Sequence, residues 1–270
     1  DIDGNIYNTV KIGNQCWTQS NLKVSRYRNG DTIPTGLSDA QWGSTTSGSY
    51  SIYGNIPGND SIYGKLYNHF SVVDNRGLCP TGWHVPSDNE WHQLVYFLDS
   101  FADTSFSSCG FCTQSNTAGG ALKSASNLVP GSWASPNGGA TNSSGFTALP
   151  GGYRGSSGVY SDVAGRGWWY TSSNYLGSLA YGRSLYYFDA TVSRGHGYPT
   201  YGTSVRCVQN TLPQINTSSI SNVTPTSVLV TGEMISEGDQ NTIRGFCYAV
   251  ASNPTISNDT TMNGTGLGIY

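Results

Sequence analysis

Pro86-Ser87-Asp88-Asn89-Glu90-Trp91-His92-Gln93-Leu94-Val95-Tyr96-Phe97-Leu98 carries the strongest helix signal in the chain. Ser87 and Glu90 stand at capping-box spacing: the serine hydroxyl can accept from the Glu90 amide while the glutamate carboxylate reaches back to the Ser87 amide. Trp91, Leu94, Val95 and Leu98 follow at helical spacing and form one apolar stripe, which predicts a helix over 88–99. A second, shorter helix is expected over 118–125, against the cost of Gly119 and Gly120. Elsewhere the signals are those of strands, at 5–12, 15–24, 168–172, 179–188 and 203–208. Two helices with an irregular antiparallel sheet make an α+β domain.

Charged residues are only 11% of the 270, and 13 Lys+Arg against 16 Asp+Glu leave a net charge of -3. That balance excludes binding to nucleic acid or anionic lipid by electrostatic attraction. No run approaches the ~18 apolar residues of a membrane span, so no membrane insertion is expected, and Asp1-Ile2-Asp3-Gly4-Asn5 lacks the pattern of a secretion leader. Gly (35) and Tyr (18) are abundant, as in a loop-rich extracellular surface. All seven Trp lie at or before Trp169, and Thr, Ser, Asn and Val dominate past residue 209. We therefore expect two domains, 1–209 and 213–270. In the second, Ser227-Val228-Leu229-Val230-Thr231 and Ile243-Arg244-Gly245-Phe246-Cys247-Tyr248 alternate with turn residues, as in an immunoglobulin or fibronectin sandwich. Such a sandwich needs roughly 100 residues, so an incomplete one is expected here.

Five motifs occur in one order: Lys11-Ile12-Gly13-Asn14-Gln15-Cys16-Trp17; Asn21-Leu22-Lys23-Val24; Cys79-Pro80-Thr81-Gly82-Trp83-His84-Val85-Pro86-Ser87 with Glu90-Trp91; Gly145-Phe146-Thr147-Ala148-Leu149-Pro150-Gly151-Gly152-Tyr153-Arg154; and Ser204-Val205-Arg206-Cys207-Val208. Over about 3–209 the chain resembles the Fibrobacter succinogenes major paralogous domain, a module of secreted and surface proteins of Bacteroidota and Fibrobacter. The resemblance implies a C-type-lectin-like fold, related to that of formylglycine-generating enzymes. In such folds the helix region is tied to the last strand, which implies a Cys79–Cys207 disulfide, with Cys16 as an alternative partner for either. The tail resembles fibronectin-like repeats of Bacteroidota surface proteins, whose Cys, here Cys247, is usually unpaired. Where family members carry two Trp and then Ser-Ser-Thr, this chain has Trp168-Trp169-Tyr170-Thr171-Ser172-Ser173. The Cys109/Cys112 pair is also outside the family pattern and reads as a local staple rather than a thiol-redox motif.

No catalytic set emerges. Glu occurs only at 90, 233 and 237, and Glu90 is engaged by the cap. His84 reads as a near-core histidine and His92 as exposed; His69 and His196 have no carboxylate or Cys at a telling spacing. A formylglycine-generating oxidase would need a reactive partner near Cys207, and the nearest upstream Cys is Cys112. The protein is thus expected not to be an enzyme and to need no cofactor. Asp1-Ile2-Asp3-Gly4-Asn5 has its Gly two positions too early for an EF-hand and reads as a turn; a lectin-like fold still has room for a surface calcium held by loops.

Nine of the 18 Tyr fall between 152 and 202. Tyr joins a rigid contact area to a hydroxyl at low entropic cost and, with Ser, Gly and Asn, makes up antibody paratopes. Candidate ligand-binding residues are Tyr170, Asn174, Tyr175, Tyr181, Arg183, Tyr187, Asp189, His196, Tyr198 and Tyr201. Ala180, Leu185, Val192, Arg194 and 204–207 form a fixed framework between residues of the kind scattered in retroelement-diversified lectin-like proteins. The expected function is an extracellular or cell-surface adhesin for a glycan or protein receptor. The rival is a structural subunit of a stalk or filament, whose partners are neighbouring copies of the chain. Thr32, Ser61 and Thr260 fit the Asp-Ser/Thr O-glycosylation pattern of Bacteroidota.

Overall fold

A computed structural model describes residues 1–103, 105, 111–126, 131–212, 214–236, 238, 244–249, 255, 257, 259–265 and 267–269. In it the capping box forms. The Ser87 hydroxyl accepts from the Glu90 amide at 3.2 Å, and the Glu90 carboxylate accepts from the Ser87 amide at 2.7 Å. The helix they start, Asp88–Leu98, stops where Asp99 turns extended (φ -146°). Its stripe is the expected one, with Trp91, Leu94 and Val95 buried; burying each aliphatic side chain is worth ~1.5–3 kcal/mol.

The chain divides into two compact units, Asp1–Gln209 and Asn210–Tyr270. The first opens with a hairpin of β1 (Thr9–Ile12) and β2 (Gln15–Thr18). Three helices that periodicity did not announce follow: α1 (Asp39–Ser44), α2 (Gly58–Tyr63) and α3 (His69–Val72), with β3 (Tyr50–Ser51) and β4 (Leu66–Tyr67) between them. At four to six residues each they span little more than a turn, too short for an apolar period to register. They correct the expectation of two helices. Then come β5 (Trp83–His84), α4 (Asp88–Leu98), β6 (Phe111–Ser115) and α5 (Ala118–Leu122), three residues shorter than expected. The unit closes with β7 (Tyr153–Arg154), β8 (Tyr160–Ser161), β9 (Arg166–Tyr175), β10 (Leu179–Tyr186), β11 (Val192–Gly197) and β12 (Val208–Gln209).

Two four-stranded antiparallel sheets result, ordered β1-β2-β12-β5 and β6-β11-β10-β9. The predicted strands at 15–24 and 203–208 are mostly loop, as is the first half of 5–12. Asn5 is held in a turn by the Asp1 carboxylate, Leu22 donates to the carbonyl of Val205, and Thr203 and Ser204 make only isolated bridges to Tyr67 and Trp169. One face of the second sheet presents Trp169, Leu185 and Val192 to Trp91 and Leu94 of α4; the other contributes Tyr170 and Ala180 to a second core with Tyr67, Val205 and Cys207.

The five motifs converge on the first core. Trp17, Trp91, Phe146 and Trp169 pack with ring centroids 5.0–6.3 Å apart, several of them edge to face. Fully buried Arg206 lies 4.4 Å over Phe146 and donates to the carbonyls of Thr18, Phe146 and Thr147 and to Asn21 Oδ1. Cys79 and Cys207 form a disulfide (Cα–Cα 6.0 Å) that closes a loop across 128 residues. Cys16 is a free thiol, as is Cys247 in the second unit. Cys112 is disulfide-bonded, and its expected partner Cys109 lies outside the described residues.

The second unit contains β13 (Gln214–Ser221), β14 (Leu229–Ser236), β15 (Cys247–Tyr248), β16 (Asp259–Thr260) and β17 (Gly268–Ile269), in sheets ordered β13-β14-β17 and β15-β16. Among the described residues no helix is long and apolar enough to cross a membrane.

Candidate ligand-binding surface

The ten candidate residues separate into four environments. Tyr170 and Arg183 are interior, which corrects their assignment to a surface. Both are fully buried, because both faces of β9 and β10 are covered. The Tyr170 hydroxyl donates to the Tyr198 carbonyl at 2.6 Å. Arg183 donates to Asp88 Oδ1 at 2.6 Å and to Gln114 Oε1 at 2.7 Å, and Arg194 donates to Asp88 Oδ2 at 2.7 Å. Burial alone would raise the Asp88 pKa, but the two guanidinium groups outweigh it and hold the carboxyl below its usual range.

Asn174, Tyr175, Tyr181 and His196 gather at one end of the second sheet. Tyr175 is buried and stacked on His196 (4.4 Å, 10° between planes), Tyr181 meets its edge at 5.0 Å, and the Arg194 guanidinium covers Tyr181 at 4.1 Å. Asn174 is exposed. The rings at this end largely cover one another. Tyr187 packs against the first core, and Asp189 organises a turn, its carboxylate accepting from the Thr191 amide and hydroxyl.

Tyr198 and Tyr201 belong to a larger surface, which also takes in Tyr153, Arg166, Trp168 and Tyr186. Its floor is Trp168, 2% exposed, lying across two glycines. A Cβ at Gly182 would stand 2.5 Å from the indole Nε1, and one at Gly197 would stand 3.1 Å from its six-membered ring. On this floor rests the Arg166 guanidinium, 4.0 Å over Trp168, 5.2 Å from Tyr186 and 5.4 Å from Tyr153. Its Nε and Nη2 both donate to Ser184 Oγ, at 3.2 and 2.7 Å. Burial draws its pKa below the ordinary arginine value. Tyr153 stacks on Tyr201 (5.8 Å), which meets Trp168 at 5.5 Å and Tyr198 at 5.8 Å, and Tyr186 stacks on Phe188 (5.3 Å). Tyr198 is 59% and Phe188 53% exposed. The arrangement offers ring faces, hydroxyls and one cation. It was partly legible: Arg166, Trp168 and Tyr170 alternate at period two and so share a face of β9.

The other histidines and the acidic residues of the N-terminal turn have structural partners. His84 bonds Glu90 Oε1 at 2.7 Å, and His92 bonds Gln114 at 2.9 Å. Buried His69 bonds the Thr171 carbonyl at 3.1 Å, and burial lowers its pKa to about 4. Asp1 Oδ1 accepts from the amides of Asp3 and Asn5, and Asp3 accepts from the Ser25 amide and Arg26, so both carboxylates serve their turns. Among the described residues no three His, Cys, Asp or Glu cluster as a metal would require. Thr32, Ser61 and Thr260 are all exposed.

A family model described as the Fibrobacter succinogenes major domain matches residues 10–209. No curated protein and no solved structure matches the chain.

Proposed function

We propose a function from the premise that the chain belongs to the Fibrobacter succinogenes major domain family: the first unit is a C-type-lectin-like recognition module, not an enzyme, that binds a glycan or protein receptor at a cell surface. The observation that carries this reading is the continuous aromatic surface around Arg166, with Tyr198 and Phe188 more than half exposed. Large rings with polar tips bind by contact area and hydrogen bonding, and they lose little rotamer entropy on doing so. The disulfides support a location outside the reducing cytosol. For the second unit, whose described strands form short antiparallel sheets, we propose a fibronectin-like spacer.

The test is binding of the full chain to a glycan array and to bacterial cell surfaces. A Tyr153→Ala/Tyr198→Ala/Tyr201→Ala variant should lose at least ~10-fold in affinity, whereas Tyr181→Ala should not. The reverse pattern would move the site to the Tyr175–His196 end, and absence of all binding would refute recognition.

A filament or stalk role, with neighbouring copies as partners, draws on the second unit. There Ile220, Val223, Val228 and Leu229 are exposed and line a groove of about 740 Å³. Concentration-dependent assembly in sedimentation, abolished by Val223→Asp/Leu229→Asp, would favour it.

A further inference from the structure

We propose that Arg166 reads a carboxylate on the ligand, so that the surface takes an acidic saccharide; this rests on the aromatic surface being the binding face. Arg26, Arg76, Arg154, Arg183 and Arg194 each meet an aspartate. Arg28, Arg206 and Arg244 donate to backbone carbonyls. Arg166 alone, among the described residues, has neither: its partner is the neutral hydroxyl of Ser184. Nε and Nη2 are occupied there, and Nη1 meets no acceptor among the described residues.

A half-buried cation with no carboxylate in contact is an unfinished pair, since Asp162 acts on Arg166 only through space. It has lost part of its hydration, and the aromatic rings return only part of that. The planar fork of a guanidinium matches a carboxylate, which can take the unused Nη1 donors. The flanks select what carries that carboxylate. Tyr186 stacked on Phe188 lies to one side and Tyr153 stacked on Tyr201 to the other, with exposed Tyr198 beyond. A sugar ring presents flat C–H faces to such rings and hydroxyls to the tyrosine tips, and a ring carboxylate sits within reach of both. An acidic peptide carries its carboxylates on flexible stems without that flat face. The net charge of -3 gives no long-range attraction to polyanions. Recognition is therefore a contact effect in a partly desolvated place, and it responds weakly to salt.

The experiment is calorimetric titration of the full chain with a panel of carboxylated oligosaccharides (uronates and sialosides), each paired with its methyl ester, and with tetraglutamate. At least one acid should bind ~10-fold or more tightly than its ester, changing less than about 3-fold between 50 and 300 mM salt. Arg166→Gln should bring that ratio to about one, Arg166→Lys should leave it partly reduced, and Tyr198→Ala should weaken acid and ester alike. The acid-to-ester ratio is read on the unaltered protein, so the test survives a variant that fails to fold. Sugars that bind as well as their esters would overturn the carboxylate inference while leaving recognition standing. No binding by any sugar in the panel would overturn it too, and the glycan array then decides whether recognition falls with it. Tetraglutamate bound through Arg166, with no sugar bound, would overturn it in favour of an acidic protein segment.

Discussion

Replacing Asp88 by Asn should be among the most damaging single changes to the first unit. The side chain is nearly isosteric, so only charge and donor polarity change. Asp88 is 5% exposed and accepts from Arg183 at 2.6 Å and from Arg194 at 2.7, 3.1 and 3.1 Å. An asparagine amide would turn an N–H toward one guanidinium and leave two cations, 0% and 6% exposed, with no anion between them. Breaking a buried pair in this way costs about 3–5 kcal/mol. For a domain of this size that lowers Tm by roughly 6–20 °C. All seven tryptophans lie within 1–209, so their fluorescence follows this unit alone during urea or thermal unfolding. Because the Asp88 pKa is held below its unfolded value, its contribution is present above about pH 4 and lost as pH falls through the folded pKa. Asp31→Asn is the control: Asp31 and its partner Arg76 are both exposed and Arg76 keeps Asp74, so the change should lie within the error of the assay. A loss for Asp88→Asn no larger than the control's would refute the reasoning.

His69 should impose a pH slope of its own. It is buried and neutral in the fold with a pKa of about 4 against 6.5 unfolded, so the unfolded chain binds the extra proton. Stability is complete above about pH 6.5 and should fall by about 3 kcal/mol by pH 4, a slope that His69→Gln should remove in urea titrations across that window. Cys79→Ala/Cys207→Ala frees a loop of 128 residues, and the chain-entropy estimate is a loss of up to about 5 kcal/mol; an unchanged urea midpoint would show that the cross-link adds nothing. Arg206→Met keeps much of the contact with Phe146 but strands the carbonyls of Thr18, Phe146 and Thr147. At about 1–3 kcal/mol for an orphaned acceptor, it should cost at least ~3 kcal/mol by the same fluorescence assay.

What the sequence disclosed followed the range of the forces involved. The α4 cap was readable because Ser87 and Glu90 are three residues apart and need nothing else. The aromatic and Arg206 motifs were readable as a set because they meet in one core, although Asn21 and Arg206 are 185 residues apart. Tyr170 and Arg183 misled for a specific reason. Period-two alternation tells which residues share a face of a strand but not whether that face is covered, and α4 covers one face while the second core covers the other. Tyr153 and Arg166 escaped because they come from separate strands, and their adjacency depends on Trp168 lying flat over Gly182 and Gly197. No local pattern encodes that.

The burial of so much of the positive charge has its cause in the loops. A domain with short strands and long loops has many carbonyls that no ladder satisfies, and each one left buried and unpaired is expensive. Arginine and lysine carry several donors and no acceptor, so one cation can satisfy several loop carbonyls at once. Arg206 does this for three, and Lys123 for another three, at Gly138, Tyr186 and Asp189. Cations used in this way hold the framework and are unavailable to a ligand. That division sets Arg166 apart: it holds no loop and pairs with no aspartate, and it lies where the exposed tyrosines are. Where the other arginines among the described residues are held by aspartates or by backbone carbonyls, the one left against aromatic rings is where ligand charge should matter most.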